Sequence, residues 1–172
     1  MRERWFEKRR LRDQRGITLV EIIIVIAIVG ILASTAVMMI GHLHYADTQK
    51  VMKTLDASLN QLQVKSISKS GNYYLYIYHL DNGYYVQILP DNLSAFDATK
   101  LTKDGTKLSN NTIKLCQDGA ELAENSFMKI AYTKQATFDT ANTTVQTILI
   151  DGVPKYSIRL VMDTGKHFVE SN

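Results

Sequence analysis

The sequence has a single cysteine, Cys116, among its 172 residues. One cysteine cannot form an intramolecular disulfide, so no disulfide framework holds this fold. The neighbouring Ile113, Lys114 and Leu115 have the pattern of a strand, which favours a buried, inert thiol over a reactive one. Phosphate loops, dinucleotide fingerprints and nucleophile elbows are also lacking, because the glycines stand alone. We therefore predict that the chain is not an enzyme and binds no cofactor.

Metal-ligand spacings are lacking as well. The acidic residues are scattered and never approach the spacing of a calcium loop. His42 and His44 are two residues apart on an expected helix, so they point to different sides. An interfacial role beside the preceding apolar run is favoured for them over metal binding, and we predict no metal site.

Positive charge is concentrated at one end of the chain and is not in excess elsewhere. Residues 1–16 hold seven Lys or Arg against three Asp or Glu, a net charge of +4. The remainder holds thirteen against fourteen, a net charge of −1. This balance argues against a nucleic-acid-binding surface, and we expect no nucleic-acid partner. The basic end has the character of a membrane topology signal.

A long hydrophobic run follows the basic end. Residues 17–41 contain one ionisable side chain, that of Glu21. A helix needs about 20 apolar residues to cross a bilayer, and this run is long enough. We predict a single-pass membrane helix over residues 17–41, with the N-terminus cytoplasmic and the domain from about residue 45 outside. A cleaved secretory signal is the weaker alternative, because the apolar run continues past the small residues at 33–36.

A specific motif joins the basic end to the apolar run. The segment reads Arg15-Gly16-Ile17-Thr18-Leu19-Val20-Glu21. It resembles the processing site of type IV prepilins and type II secretion pseudopilins, and the continuation IIIVIAIVGILASTA resembles the same family. Many major pilins have a proline shortly after this stretch. This chain has prolines only at positions 90 and 154, which favours a minor subunit.

The resemblance implies a route of processing and assembly. A membrane prepilin peptidase would cleave after Gly16, and Ile17 would become an N-methylated first residue. The mature helix would assemble with other pilin or pseudopilin subunits on an inner-membrane assembly platform, in contact with membrane lipid. The late strands and the turn at Thr164-Gly165-Lys166 loosely resemble minor pseudopilins of the GspH/FimT type.

The chemistry of the motif supports this route without the analogy. A glycine before the scissile bond leaves the backbone open to a protease. An ionised acid in hydrocarbon costs on the order of 2.5–3.5 kcal/mol unless it is paired. Cleavage creates a cationic amine on Ile17, and the Glu21 of a neighbouring subunit could pair with it. The alternative is that Glu21 snorkels to the cytoplasmic interface.

The rest of the chain has the pattern of an α+β domain. Residues 46–66 contain no Gly or Pro, and their apolar residues form one helical stripe of Val51, Leu55, Leu59 and Leu62. Residues 73–79 and 84–89 flank Asn82-Gly83, a strong hairpin signal. If the turn has two residues, Ile77 opposes Ile88 and Tyr78 opposes Gln87. Residues 91–111 read as a loop. Further strands are expected at residues 113–116, 128–133, 147–150, 156–162 and 166–169.

The two faces of the expected hairpin differ. Leu75, Ile77, Val86 and Ile88 should share the face that lies on the helix stripe. The other face carries Tyr74, Tyr76, Tyr78 and Tyr85, a candidate interaction surface. The favoured alternative is that this tyrosine face packs under a loop or a neighbouring subunit.

The sequence thus predicts four segments: a basic leader (1–16), a transmembrane helix (17–41), an amphipathic continuation of that helix (42–70) and an antiparallel β-sheet domain (71–172). A long helix packed on an antiparallel sheet is also what a pilin-like resemblance implies. The predicted function is a structural subunit, expected to be minor, of a type IV pilus or of a type II secretion or DNA-uptake pseudopilus, ending in an extracellular or periplasmic filament. The alternative is a single-pass membrane-anchored protein whose outer domain binds or senses an extracellular ligand.

Overall fold

The computed structural model describes residues 18–171, except for the side chains of residues 35–43. One helix, α1, spans Leu19–Ser68. Within the described residues it is followed by nine strands, which are β1 (Tyr74–Leu80), β2 (Gly83–Leu89), β3 (Thr106–Ser109), β4 (Lys114–Gln117), β5 (Ala120–Glu121), β6 (Phe127–Ala131), β7 (Thr147–Asp151), β8 (Tyr156–Val161) and β9 (Lys166–Ser171). The predicted α+β class is confirmed. The chain divides into two compact units after Ile40, and all of these strands belong to the second.

The strands form two antiparallel sheets, not the single sheet that the sequence predicts. Sheet A has the order β3-β2-β1-β6, and sheet B has the order β5-β4-β7-β8-β9. β3 and β5 are additions to the expected strands, and β3 lies inside the stretch that reads as a loop. The other seven strands fall where they are expected, within one or two residues at each end.

In the second unit, one stripe of α1 covers both sheets. Val51, Leu55, Leu59 and Leu62 are each at most 1% exposed. They share one hydrophobic core with the inward residues of sheet A (Leu75, Ile77 and Val86) and of sheet B (Ile148, Ile150 and Ile158). A fully buried leucine contributes about 1.5–3 kcal/mol, so this stripe is a main source of the domain's stability. The predicted packing of the helix stripe on the hairpin is confirmed.

The β1–β2 hairpin has a different register from the expected one. Ile77 pairs with Val86 and Tyr78 pairs with Tyr85, so the turn residues are Asp81 and Asn82. Gly83 has a φ of 132° at the first position of β2, whereas neither turn residue has a positive φ. A type I′ turn needs positive φ at both of its central residues, so this is another turn type. The predicted register was wrong by two residues. Because a shift of two keeps each side chain on its face, the predicted faces were still right.

A lysine from the β6–β7 connection holds the C-terminal end of α1. The Nζ of Lys134 donates hydrogen bonds to the carbonyl oxygens of Ser66, Lys69 and Gly71, each at 2.7 Å. The last carbonyls of a helix lack intrahelical partners, and a cation there also interacts favourably with the helix dipole. Gly71 has a φ of 109°, which only glycine adopts without strain. The helix therefore ends at a capped and sterically defined point.

Candidate processing and assembly site

The predicted processing site lies just before the described residues. Gly16 and Ile17, and with them the predicted leader at residues 1–16, lie outside those residues. Cleavage after Gly16 and N-methylation of Ile17 therefore stay predictions. Helix α1 begins at Leu19, immediately after this site.

Thr18 caps the start of α1. Its Oγ1 accepts a hydrogen bond of 3.2 Å from the backbone nitrogen of Glu21, and its carbonyl oxygen accepts one of 3.2 Å from the nitrogen of Ile22. A threonine at the N-cap with a glutamate three residues later is the residue pair of a capping box. An acid in the first turn also interacts favourably with the helix dipole. This cap was not predicted, although a threonine and a glutamate three residues apart before an apolar run are its sequence signal.

The first turns of the helix present apolar side chains in every direction. The exposed fraction of the large ones runs from 47% at Ile22 to 74% at Leu19. Within residues 18–34, Glu21 is the only charged residue, and it is exposed. A helix that is apolar all round is typical of one enclosed by other protein or by lipid.

No helix among the described residues combines the length and the apolarity of a membrane span. The predicted membrane helix, residues 17–41, lies partly outside the described set, which omits residue 17 and the side chains of residues 35–41.

The four tyrosines of the candidate interaction surface are buried. Tyr74, Tyr76, Tyr78 and Tyr85 are each at most 6% exposed. They form a second hydrophobic cluster with Leu93, Leu101 and Ala131, against which Phe96 and Phe127 pack. The loop between β2 and β3 therefore covers this face of sheet A, as the favoured alternative has it. The tyrosine rings do not offer an exposed adhesive surface.

Hydroxyl groups of the same tyrosines hold that covering loop. Tyr76 Oη donates to the carbonyl oxygen of Asp91 at 2.8 Å, and Tyr78 Oη donates to that of Thr102 at 2.6 Å. Burial raises the pKa of Tyr78 to about 12, so its hydroxyl stays protonated and can donate at neutral pH. A Cβ added at Gly105 would collide with the Tyr78 hydroxyl, which explains a glycine at that point of the loop. These tyrosines have a structural role.

The one cysteine and a histidine of β1 have structural settings too. Cys116 is buried, and burial raises the pKa of its thiol, which makes it a poor nucleophile. His79 lies with Nδ1 3.0 Å from the carbonyl oxygen of Leu122, and its ring stacks on Tyr84 at 4.2 Å between centroids. Among the described residues, no three His, Cys, Asp or Glu side chains are grouped so that they could hold a metal ion.

Two surface depressions bear on the ligand-binding alternative. A groove of ≈ 210 Å³ lies between α1 and β3 and is lined by polar residues such as Asp47, Lys50 and Lys107. This volume is below the 300–1,000 Å³ of ordinary small-molecule sites. A wider depression of ≈ 670 Å³ lies on sheet B beside Asp118. The Asp118 carboxylate accepts the backbone N–H of Thr147 at 2.7 Å, so it has a structural role at the start of β7.

Comparison with known proteins gives one match. Residues 11–37 match the model of the prokaryotic N-terminal methylation motif. No curated protein and no solved structure matches the chain. The matched segment contains the predicted cleavage site, the N-cap at Thr18 and Glu21, the one acid of the predicted membrane helix.

Proposed function

We propose that this chain is a minor structural subunit of a filament. The premise is the methylation motif at residues 11–37, which supports the type IV prepilin and pseudopilin family. In this proposal a prepilin peptidase removes residues 1–16, and Ile17 becomes the methylated first residue. The subunit is then held in the inner membrane with its N-terminus towards the cytoplasm. An assembly platform incorporates it from there into a type IV pilus or a type II secretion or DNA-uptake pseudopilus.

The match at residues 11–37 carries this proposal. The described part of the chain agrees with it in two respects. The helix that would form the filament core starts at Leu19, at a capped terminus directly after the proposed cut. Its first turns expose apolar side chains on all sides, which suits a helix that exchanges lipid for the helices of neighbouring subunits.

The mass of the mature N-terminus tests the proposal. A processed filament subunit should begin at Ile17 and carry one added methyl group, because the peptidase leaves the new amine there. The chain is isolated from the membrane fraction of its host and its N-terminal peptide is measured by mass spectrometry. A plain anchored ligand-binding protein would instead begin at Met1. An N-terminal peptide beginning at Met1 in cells with an active prepilin peptidase would refute the processing assignment.

Glu21 is proposed to act in assembly, by pairing with the amine of Ile17 in a neighbouring subunit. Its backbone nitrogen is used by the cap at Thr18, whereas its carboxylate is exposed and has no ion-pair partner among the described residues. Attraction between opposite charges strengthens at low dielectric, and pairing offsets the cost of burying both groups. Leaving one such charge without its partner costs about 3–5 kcal/mol.

We therefore expect Glu21→Gln to be processed and inserted normally but to enter filaments poorly. Glutamine can still occupy the third helical position of a capping box, so the substitution removes the charge and keeps the cap. The measurement compares tagged variant and wild-type protein in the membrane and in sheared filaments. Glu124→Gln, at an exposed site outside the anchor, is the matched control and should enter filaments normally. Equal incorporation of Glu21→Gln and wild type would leave Glu21 as a snorkelling interface residue.

A further inference from the structure

The two sheets have four edge strands, and three of them are short or covered. β5 has two residues, and β3 has four with an irregularity in its pairing to β2. The outer edge of β6 is covered by the following loop, because the nitrogen of Thr144 donates to the carbonyl oxygen of Lys129 at 2.8 Å and that of Asp139 donates to Ala131 at 2.9 Å. Folded proteins generally shield their sheet edges in such ways, since a free edge can pair with another chain.

β9 is the exception. It has six residues, and within the described part of the chain it pairs with β8 on one side and with no strand on the other. Phe168 is 47% exposed and Val169 is 37% exposed. A long edge with exposed apolar side chains is the kind that other strands add to.

The pairing with β8 assigns the side chains of β9 to two faces. Val169 pairs with Ile158 and His167 pairs with Leu160, and both of these β8 residues are buried in the core. His167 also lies inward, with its Nε2 2.9 Å from the Asp56 carboxylate of α1. Alternation then places the remaining side chains Lys166, Phe168 and Glu170 together on the outer face.

This outer face is complementary to itself. The sequence Lys166-His167-Phe168-Val169-Glu170 has a cation and an anion at equal distances on either side of a phenylalanine. If two copies of β9 run antiparallel with Phe168 opposite the partner's Phe168, each Lys166 lies opposite the partner's Glu170. Directly opposed residues of opposite charge stabilise an antiparallel pair, whereas like charges destabilise it. Glu170 already lies 3.3 Å from Arg159 of its own chain, so its charge would be balanced from both sides.

We propose that β9 is a homotypic interface, through which two copies of this chain pair edge to edge in that register and join their B sheets. The twofold symmetry makes the contact isologous, so the same strand serves both copies. The charge pattern favours pairing with a second copy over pairing with an unrelated strand, because every β9 carries both the cation and the anion that the pairing needs. The proposal does not depend on processing or filament assembly, since it needs only the second compact unit.

Disulfide cross-linking of the full chain in mild detergent tests the contact. Opposed residues in an antiparallel pair have Cα atoms about 4.5–5.5 Å apart, which is within the range of a disulfide. We expect Phe168→Cys to give covalent dimers under copper phenanthroline. Thr106→Cys, an exposed position on the edge strand β3, is the matched control and should give none. The native Cys116 is buried and is kept in both variants.

Charge exchange tests the register. Two differently tagged chains both carry Phe168→Cys, and one also carries Lys166→Glu while the other carries Glu170→Lys. Each variant opposes like charges in its own homodimer at two positions, but the mixed dimer restores opposite charges at both. Random pairing of equal amounts gives as many mixed dimers as the two homodimers together. We expect the ratio of mixed dimers to homodimers to exceed that 1:1 value by about threefold or more, since such pairs each contribute a few tenths of a kcal/mol or above.

Three outcomes would overturn the proposal. The first is a dimer yield for Phe168→Cys no greater than that for Thr106→Cys. The second is a statistical mixture of dimers in the charge-exchange experiment, which would rule out the register and the charge complementarity on which it rests. The third is cross-linking of Phe168→Cys only to a different protein, which would make β9 the docking edge for another partner.

Discussion

Replacing Gly16 by leucine should leave the precursor uncut in the membrane. A protease needs an accessible backbone at the scissile bond, and glycine is the residue that leaves it most open. A bulky side chain next to that bond displaces it from the catalytic groups, and misplacement by about 1 Å can cost about 100-fold in rate. The measurement is the ratio of precursor to mature chain by immunoblot after expression with a prepilin peptidase. We expect essentially all of the Gly16→Leu chain to stay at the precursor size.

The matched control is the same substitution at another glycine of the segment. A Cβ added at Gly30 meets no atom within 4 Å, so Gly30→Leu should fold into the helix and mature normally. Loss of processing in Gly16→Leu with normal processing in Gly30→Leu would locate the effect at the cut. If Gly16→Leu matured to the normal size, the processing assignment would be wrong.

Replacing Leu59 by alanine should lower the free energy of unfolding of the outer domain by about 2–5 kcal/mol. Leu59 is fully buried in the core that α1 shares with both sheets. Truncating it removes buried apolar area and leaves a cavity that the surrounding residues fill only in part. The measurement is urea unfolding of a fragment that starts at Tyr45, within the unit that contains this core. We expect that fragment to be soluble and monomeric at the dilute concentration of the unfolding measurement.

Val64 on the same helix supplies the control for this experiment. It is 63% exposed, and surface substitutions usually change stability by less than about 0.5 kcal/mol. Val64→Ala should therefore leave the urea midpoint nearly unchanged, while Leu59→Ala lowers it at a constant slope. An unchanged midpoint for Leu59→Ala would show that the stripe is not buried.

The elements that the sequence predicts best are those with a strong local pattern. The stripe ending in Leu59 and Leu62 has helical spacing with no Gly or Pro, and the structure buries that same stripe. The presence of the β1–β2 hairpin was also predicted, because two alternating apolar segments flank a turn signal. Its register was predicted wrongly, since the dipeptide Asn82-Gly83 can serve more than one turn type and local sequence does not decide between them.

The elements that were missed depend on distant partners. β3 contains a single apolar residue, Leu108, and forms only by pairing with β2. β5 has two residues and no pattern of its own. The division into two sheets likewise depends on which strands meet, and the alternation within each strand carries no information on that. Leu93 and Leu101, which cover the tyrosines, lie in a mainly polar stretch where neither alternation nor helical spacing marks them.

For the candidate site, the sequence predicts which residues belong to the motif, but it does not predict which side chains are buried or which strand lies at a sheet edge. The segment that holds Gly16, Thr18 and Glu21 and the start of the apolar run matches the methylation motif. The tyrosines could not be placed from sequence, because an aromatic face looks the same whether a loop or a partner covers it. The edge strand β9 could not be identified either, since the sequence does not say which strand is last in its sheet.

The hydrogen bonds from Lys134 to the end of α1 limit which positions of this domain can vary among related sequences. The Nζ of Lys134 donates three hydrogen bonds, and the acceptor of each is a backbone carbonyl oxygen. Every residue type supplies the same oxygen, so the residue at the exposed position 69 can change freely without weakening the contact. Among homologues, the lysine and Gly71 should therefore be constrained individually, with no compensating exchange between paired positions. A covariation search would miss this contact even though it joins segments more than sixty residues apart.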